Sequence, residues 1–225
     1  GCNRKCAFCS IPLIRGNYKS KPVDLLKEES KMLASQGVKE INLIAQDLSF
    51  YGYDIYRRYS LAHLLKELAE LKAFHWIRPL YFYPANFPVE VLDLMSDEPS
   101  ICKYLDIPFQ HSSDTVLKFM QRGIDKKKTY ELIELINKKI PGVSLRTTLM
   151  VGHPGEKEED FRDLLTFVRD IEFDRLGVFK YSEEEDTFSE KNYSDSIPQS
   201  VKDDRANEVM KLQQEISYKK NMMKV

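Results

Sequence analysis

An α/β fold of repeated βα units is predicted by three features of this 225-residue chain. From residue 20 onward, apolar residues at helical spacing alternate with short runs of strand-forming residues at the interval expected of βα units. Hydrophobic residues make up 42% of the chain and glycines number only 9, a composition that packs a core rather than one that stays disordered. The residues of chemical interest recur where strands should end, as they do in parallel sheets and barrels.

Val23, Leu26 and Leu33 share one helical face, Pro22 suits a first turn, and Gly37 can end that helix in the left-handed region. A strand is expected over 38–45. Ser60 can cap a second helix carrying Leu61, Leu64, Leu65 and Leu68, after which 76–83 reads as a strand whose Pro79 suggests a bulge or an edge position. A short helix over 89–95 and a strand over 103–109 follow. Leu132, Ile133 and Ile136 define a helix over 129–139, closed by Pro141 and Gly142 ahead of a strand over 143–151. A helix over 156–171 turns Phe161, Leu164, Leu165 and Val168 inward, and 175–181 supplies the last strand.

The acidic run 183–186 and the polar segment 189–200 read as a surface loop without a catalytic role. A helix over 201–222, with Val201, Val209, Leu212, Ile216 and Met223 at helical spacing, is expected to pack on its own domain. Five strands are legible; a sixth βα unit is implied if one strand precedes Gly1, an unusual first residue. The strand over 38–45 would then be left with an open edge.

A net charge of −1 gives no strong positive field to draw in nucleic acid, so direct RNA binding by this chain is not expected. No apolar run is long enough to cross a bilayer and no signal-peptide pattern is seen, which points to the cytoplasm. Of the 4 cysteines, Cys102 lies beside Ile101 and near Tyr104 and reads as a buried small hydrophobe. The others, Cys2, Cys6 and Cys9, crowd one short loop, unlike a secreted disulfide framework. Three thiolates so placed can hold three irons of a cubane 4Fe–4S cluster and leave the fourth iron open. A zinc or thiol-redox reading needs a fourth ligand or partner that the loop does not provide.

Further candidates follow the other strands: Gln46 and Asp47 after the second, Gln110 and His111 after the fourth, Gly152 to Glu156 after the fifth, Tyr181 and Ser182 after the last. His111 reads as a structural residue at a strand end or as a substrate contact. Arg146, amid apolar neighbours, can pair with a ligand carboxylate or with a structural acid such as Asp106.

Together these segments resemble the radical S-adenosylmethionine (SAM) superfamily, and more narrowly its methylthiotransferases, over nearly the whole chain. CxxxCxxC with the aromatic Phe8 before the last cysteine is the superfamily signature. The resemblance implies a partial (βα)6 TIM-like barrel, its first strand upstream of residue 1. Residues 1–198 would form the radical SAM core, and 199–225 a helix that packs on it or leads to a TRAM-like recognition domain. Cys2, Cys6 and Cys9 would be the metal ligands. The amino and carboxylate groups of SAM would chelate the open iron, and an electron passed through the cluster would release a 5′-deoxyadenosyl radical. Protein then has to fix geometry and exclude stray hydrogen donors.

The same resemblance places Phe8, Gln46, Asp47, Gln110, Arg146, Val151, Gly152, Phe179, Lys180 and Tyr181 around SAM. Gln46 and Asp47 stand where other members carry Gly-Gly-Glu, and Val151, Gly152 and the backbone of 179–181 would wall the adenine. Gly152 to Glu156 is similar to the family's Gly-Phe-Pro-Gly-Glu, which makes His153 a packing residue. Ala45 to Gly52, Tyr81 to Pro84 and Asp106 to His111 resemble the RimO-type branch, which modifies an aspartate of small-subunit ribosomal protein twelve. The rival is a MiaB-like methylthiotransferase acting on a transfer-RNA adenosine; a non-catalytic zinc or thiol module is the third reading. In these enzymes a second 4Fe–4S cluster sits in an amino-terminal domain, expected to be missing here, and an electron donor such as flavodoxin or ferredoxin serves the first.

Overall fold

Every strand pair in the computed structural model, which describes residues 1–223, is parallel. The chain runs α1 (Ile11–Arg15), α2 (Val23–Ser35), β1 (Glu40–Leu43), a 3-10 turn (Leu48–Phe50), α3 (Tyr53–Tyr56), α4 (Leu61–Glu70), β2 (Trp76–Pro79) and α5 (Glu90–Asp97). It continues through β3 (Tyr104–Asp106), α6 (Asp114–Phe119), α7 (Lys126–Lys139), β4 (Ser144–Val151), α8 (Glu158–Ile171), β5 (Arg175–Lys180), α9 (Phe188–Asn192) and α10 (Gln199–Met222). β1 pairs with β2, and β3, β4 and β5 form a second ladder in that order. The Ile77 N–H to Ser100, Cys102 N–H to Ile77 and Phe82 N–H to Asp106 hydrogen bonds join the two ladders across β2 and β3. Among the described residues no strand pairs with the outer edge of β1.

Parallel neighbours require crossovers, and the helices supply them while covering one sheet face. Leu61, Leu64, Leu65 and Leu68 of α4, Val91, Leu92 and Met95 of α5, and Phe161, Leu164 and Val168 of α8 are all buried there, with Ile41, Ile77, Leu105, Leu145 and Leu149 of the strands. Each such side chain contributes about 1.5–3 kcal/mol relative to exposure. Residues alternate along the strands, so the other face is open. There Trp76 and Phe179 stay 55% and 62% exposed, while Arg78 pairs with Glu40 at 2.7 Å and Arg146 with Asp106 at 2.5 Å.

Helix ends explain how the chain turns onto the sheet. Gly37, at φ +84°, lets its N–H reach Ala34 and the Val38 N–H reach Leu33, and β1 begins three residues later. Asp125 caps α7 by accepting the Lys128 N–H, so the helix begins at Lys126, three residues before the expected start. Ser60 stands at the N-cap of α4, but its hydroxyl donates to the Arg58 carbonyl instead of accepting from the helix.

Other departures have local causes. Pro79 marks neither a bulge nor an edge; it closes β2, which lies between β1 and the β3 ladder. Cys102 is half-buried, close to Arg78 and Glu40, rather than fully packed. The polar segment after the acidic run contains α9, and Ser189 within it is completely buried. The inward face of α10 carries Lys202, Arg205, Val209, Gln213 and Ile216, while Met223 is exposed and Val201 and Leu212 are only partly buried. That face packs on β5 and α8, its charged groups bonding to loops at the sheet's carboxyl edge.

Candidate active site

The cysteine loop is short and carries no regular structure, so hydrogen bonds to distant elements fix its shape. Cys2 N–H donates to Gly16 at the end of α1, Tyr18 N–H to the Asn3 side chain, and Ala7 N–H to Met120 beyond α6, while the Ala7 carbonyl accepts from Ser189 N–H of α9. Cys2, Cys6 and Cys9 are free thiols of intermediate exposure. Burial pushes the Cys2 and Cys9 thiols up, and the neighbouring sulfurs add to that rise. Bound iron would reverse this, because a cation deprotonates its thiol ligands.

Cations converge behind the loop. Arg4 Nε donates to Asp47 Oδ2 at 2.6 Å, and its guanidinium lies 4.1 Å from the Tyr83 ring centre. Arg122 Nη1 donates to Cys6 Sγ at 3.1 Å and Nη2 to the Pro108 carbonyl at 2.5 Å, with its guanidinium 4.4 Å from the same ring. Tyr83 in turn donates its hydroxyl to the Arg122 carbonyl at 2.7 Å. Sequence reasoning assigned no site role to Arg4 or Arg122, and none to Tyr83 beyond its place in the branch-like segment 81–84. Arg4 lies inside the cysteine motif, a signal that could have been used; Arg122 and Tyr83 reach the loop only through tertiary folding.

The strand-end residues gather on the same edge of the sheet. Asp47 follows β1 and is 2% exposed; it stands at the N-cap of the 3-10 turn without capping it, and Oδ1 has no hydrogen-bond partner. Gln46 beside it is exposed. Gln110 adopts φ +72°, bridges β4 through its backbone to Thr148 and Met150, and leaves a buried Oε1 unpartnered. Tyr181 N–H donates to Val151 at 2.8 Å, which joins the two ends of the expected adenine wall. Phe179 is open on the uncovered face, whereas Lys180 turns to Asp203 of α10 at 2.7 Å.

Gly152 is required twice over: its φ is +75°, and a Cβ there would lie 2.4 Å from Lys202 Cγ. Its N–H donates to Glu156 Oε2 at 2.7 Å, and Arg205 of α10 holds Glu156 Oε1 at 2.7 Å. Burial pushes Glu156 up to about 7 against the pull of Arg205 and that N–H. Lys202, equally inward, donates to the Tyr181 carbonyl at 3.2 Å and to Asp195 at 2.5 Å. The carboxyl-terminal helix is thus bolted to the loops after β4 and β5 by charged groups.

His153 packs, as the glycine-proline context suggested. Its ring meets Phe8 at 6.3 Å and Tyr181 at 5.1 Å, and Nε2 shares a 3.1 Å hydrogen bond with Ser189. Burial lowers it to about 4. His111 is fully buried, accepts the Ser113 N–H at Nδ1, leaves Nε2 without a hydrogen bond 3.7 Å from Glu156 Oε2, and is lowered by burial to about 3, which favours the neutral ring. Arg146 takes the structural partner: it faces Asp106, five residues before the end of β4, about 16 Å back along the strand.

These residues fit a cluster and a bound amino-acid cofactor. Three soft thiols share one loop, two of them already accept N–H donors, Cys2 from the Arg4 backbone and Cys6 from Arg122, and Asp47 Oδ1 is a buried, unpartnered acceptor suited to an ammonium group. Among the described residues, no three His, Cys, Asp or Glu side chains converge on a point that one metal ion could occupy, whereas a single-zinc reading needs four.

The chain resembles known proteins over its whole length. The family model described as "Radical SAM superfamily" matches residues 1–168. The chain is 51% identical, over all 225 residues, to 52% of the ribosomal protein uS12 methylthiotransferase RimO of Porphyromonas gingivalis. It is 50% identical, again over its whole length, to 52% of the protein of that name from Parabacteroides distasonis. The chain therefore spans about half the length of the curated relatives it matches. Among solved structures, coproporphyrinogen III oxidase (HemN) of Escherichia coli, described as a radical SAM enzyme, superposes with a TM-score of 0.69 at 18% identity, over 96% of this chain and 50% of that one. Methylornithine synthase (PylB) gives 0.58 at 16%, over 94% and 60%. The parallel sheet with its open face is the same fold.

Proposed function

The chain belongs to the radical SAM superfamily, and from that premise we propose that it is the radical-generating core of a methylthiotransferase acting on an aspartate β-carbon of ribosomal protein uS12. The observation that carries the reading is the loop of Cys2, Cys6 and Cys9 set beside a buried, half-paired Asp47. The relatives' shared name supports the ribosomal substrate over a transfer-RNA adenosine. When bound, the 4Fe–4S cluster and SAM supply a 5′-deoxyadenosyl radical able to take hydrogen from an unactivated carbon. In this assignment Cys2, Cys6 and Cys9 hold three irons and Asp47 Oδ1 accepts from the methionyl ammonium. Val151, Gly152 and the backbone of 179–181 flank the adenine, while Phe8 and His153 shield the loop from water.

The organisation follows from the same reading. Residues 1–198 form the core, and α10 ties it to a substrate-recognition region. A second 4Fe–4S cluster, the site of sulfur transfer, sits in an amino-terminal domain, and flavodoxin or ferredoxin delivers the electron in the cytoplasm. No helix among the described residues is long and apolar enough to cross a membrane. The test is anaerobic reconstitution with iron and sulfide, then incubation with SAM and dithionite. A brown chromophore and 5′-deoxyadenosine are expected from this chain, without methylthiolated product. A protein of the relatives' full length carrying this core should modify uS12 and not transfer RNA. Tetrahedral zinc on the three thiols, or product on transfer RNA, would overturn the reading.

A further inference from the structure

Resting on that assignment of the three cysteines, we infer that Arg122 is a positioning residue for the cluster: its N–H to Cys6 Sγ orients the middle thiolate and favours the reduced state. The geometry is specific. Arg122 is 4% exposed, and one guanidinium edge is divided between Cys6 Sγ at 3.1 Å and the Pro108 carbonyl at 2.5 Å, which fixes the fork's plane. The backbone is shaped to deliver it. Just past α6, Gln121 adopts φ +53°, and the Gln121 and Arg122 N–H groups donate to Lys118 and Leu117. A non-glycine residue is thus held in the left-handed region to bring the next side chain under the loop. Tyr83 locks the arrangement, its ring against the guanidinium and its hydroxyl on the Arg122 carbonyl.

A buried cation with no acid partner is otherwise costly. Among the contacts of Arg122, the sulfur is the acceptor that becomes anionic on binding iron, so the charge has its partner only in the loaded site. Hydrogen bonds and positive charge at cluster sulfurs stabilise the more negative, reduced cluster and raise its potential. One electron enters from an external one-electron donor and no bond is made or broken in that step. Arg4 is the nearby alternative, but its Nε is committed to Asp47.

The experiment reconstitutes the chain, Arg122→Met, Arg122→Lys and Tyr83→Phe anaerobically. Iron and sulfide are assayed, and the fraction of reduced cluster is read by EPR at one dithionite-and-mediator poise. Arg122→Met should lower the reduced-to-oxidised ratio about tenfold at full iron content, equivalent to about 59 mV for one electron. Arg122→Lys and Tyr83→Phe should shift it less, in the same direction. An unchanged ratio in iron-replete Arg122→Met overturns the inference. So does loss of iron in Arg122→Met alongside iron-replete Arg122→Lys and Tyr83→Phe at the parent ratio, because the role is then structural only. No cluster in the unsubstituted chain would overturn the cysteine assignment itself.

Discussion

Gly152→Ala separates two costs at the turn after β4, one in the backbone and one in the contact with α10. At φ +75° an alanine is forced into the left-handed region, a cost of about 1–2 kcal/mol. The new Cβ would also sit 2.4 Å from Lys202 Cγ and 2.8 Å from Cδ. Lys202 has nowhere to go: it is 3% exposed and its amino group is tied to Tyr181 and Asp195. Overpacking of this kind costs about 1–3 kcal/mol, so the total is about 2–5 kcal/mol. Gly142→Ala is the control, since Gly142 has φ +77° with nothing within 4 Å of the built Cβ; it should lose only the backbone part. Adding Lys202→Ala to Gly152→Ala removes the clashing atoms and should recover about 1–3 kcal/mol relative to additivity. Urea unfolding followed by circular dichroism reads all four variants. Equal losses for Gly152→Ala and Gly142→Ala, or strict additivity with Lys202→Ala, would refute the reasoning.

Asp47→Asn should weaken SAM binding to the reconstituted chain about tenfold, some 1.4 kcal/mol, with iron content unchanged; unaltered affinity by calorimetry contradicts the assigned ammonium contact. Arg205→Met strands the buried Glu156 carboxylate and should cost about 3–5 kcal/mol, with Glu156→Gln in the same chain restoring part of it; thermal unfolding decides. The pH response has a definite sign. His111 and His153 are lowered from 6.5 to about 3 and about 4, so below pH 6.5 the unfolded chain takes up two protons that the fold does not. Glu156, raised from 4.5 to about 7, opposes with one proton held by the fold over 4.5–7. One net proton favours the unfolded state between about pH 6.5 and 4.5, so stability should fall by about 1.4 kcal/mol per pH unit on acidification there. Urea midpoints rising from pH 6.5 to 5 would contradict it.

What could be read from the sequence depended on whether its cause was local. The helix ending at Gly37 and the helix over 156–171 were legible because a left-handed cap and an apolar stripe are written in consecutive residues. The cysteine loop was legible for the same reason. α10 was foreseen as a helix, and Val209 and Ile216 do face inward, but periodicity counts apolar residues and so missed Lys202 and Arg205, which turn inward to meet Tyr181, Asp195 and Glu156. α9 was hidden by its polar composition; Ser189 is buried by its bonds to His153 and Ala7, partners far away in sequence. Arg146 illustrates the remaining limit: its type was suggestive, and only the β3–β4 register set it opposite Asp106.

The open sheet face and its carboxyl edge differ in how their polar atoms are spent. On the face, Arg78 pairs with Glu40 and Arg146 with Asp106 Oδ2 at hydrogen-bond distance, both arginines are partly exposed, and Asp106 Oδ1 is buried without a partner. At the edge, Asp47 Oδ1 and Gln110 Oε1 are shut away from water and given no partner. A buried acceptor left unmade costs about 1–3 kcal/mol, and this edge carries two of them, after β1 and after β3, while Arg4 and Arg122 crowd charge beneath the neighbouring thiols. Packing alone would replace such groups with apolar ones of similar size. Their persistence is explained if a polar ligand restores the lost hydrogen bonds and an anionic cluster matches the buried guanidinium of Arg122, so that the edge is completed by what it binds.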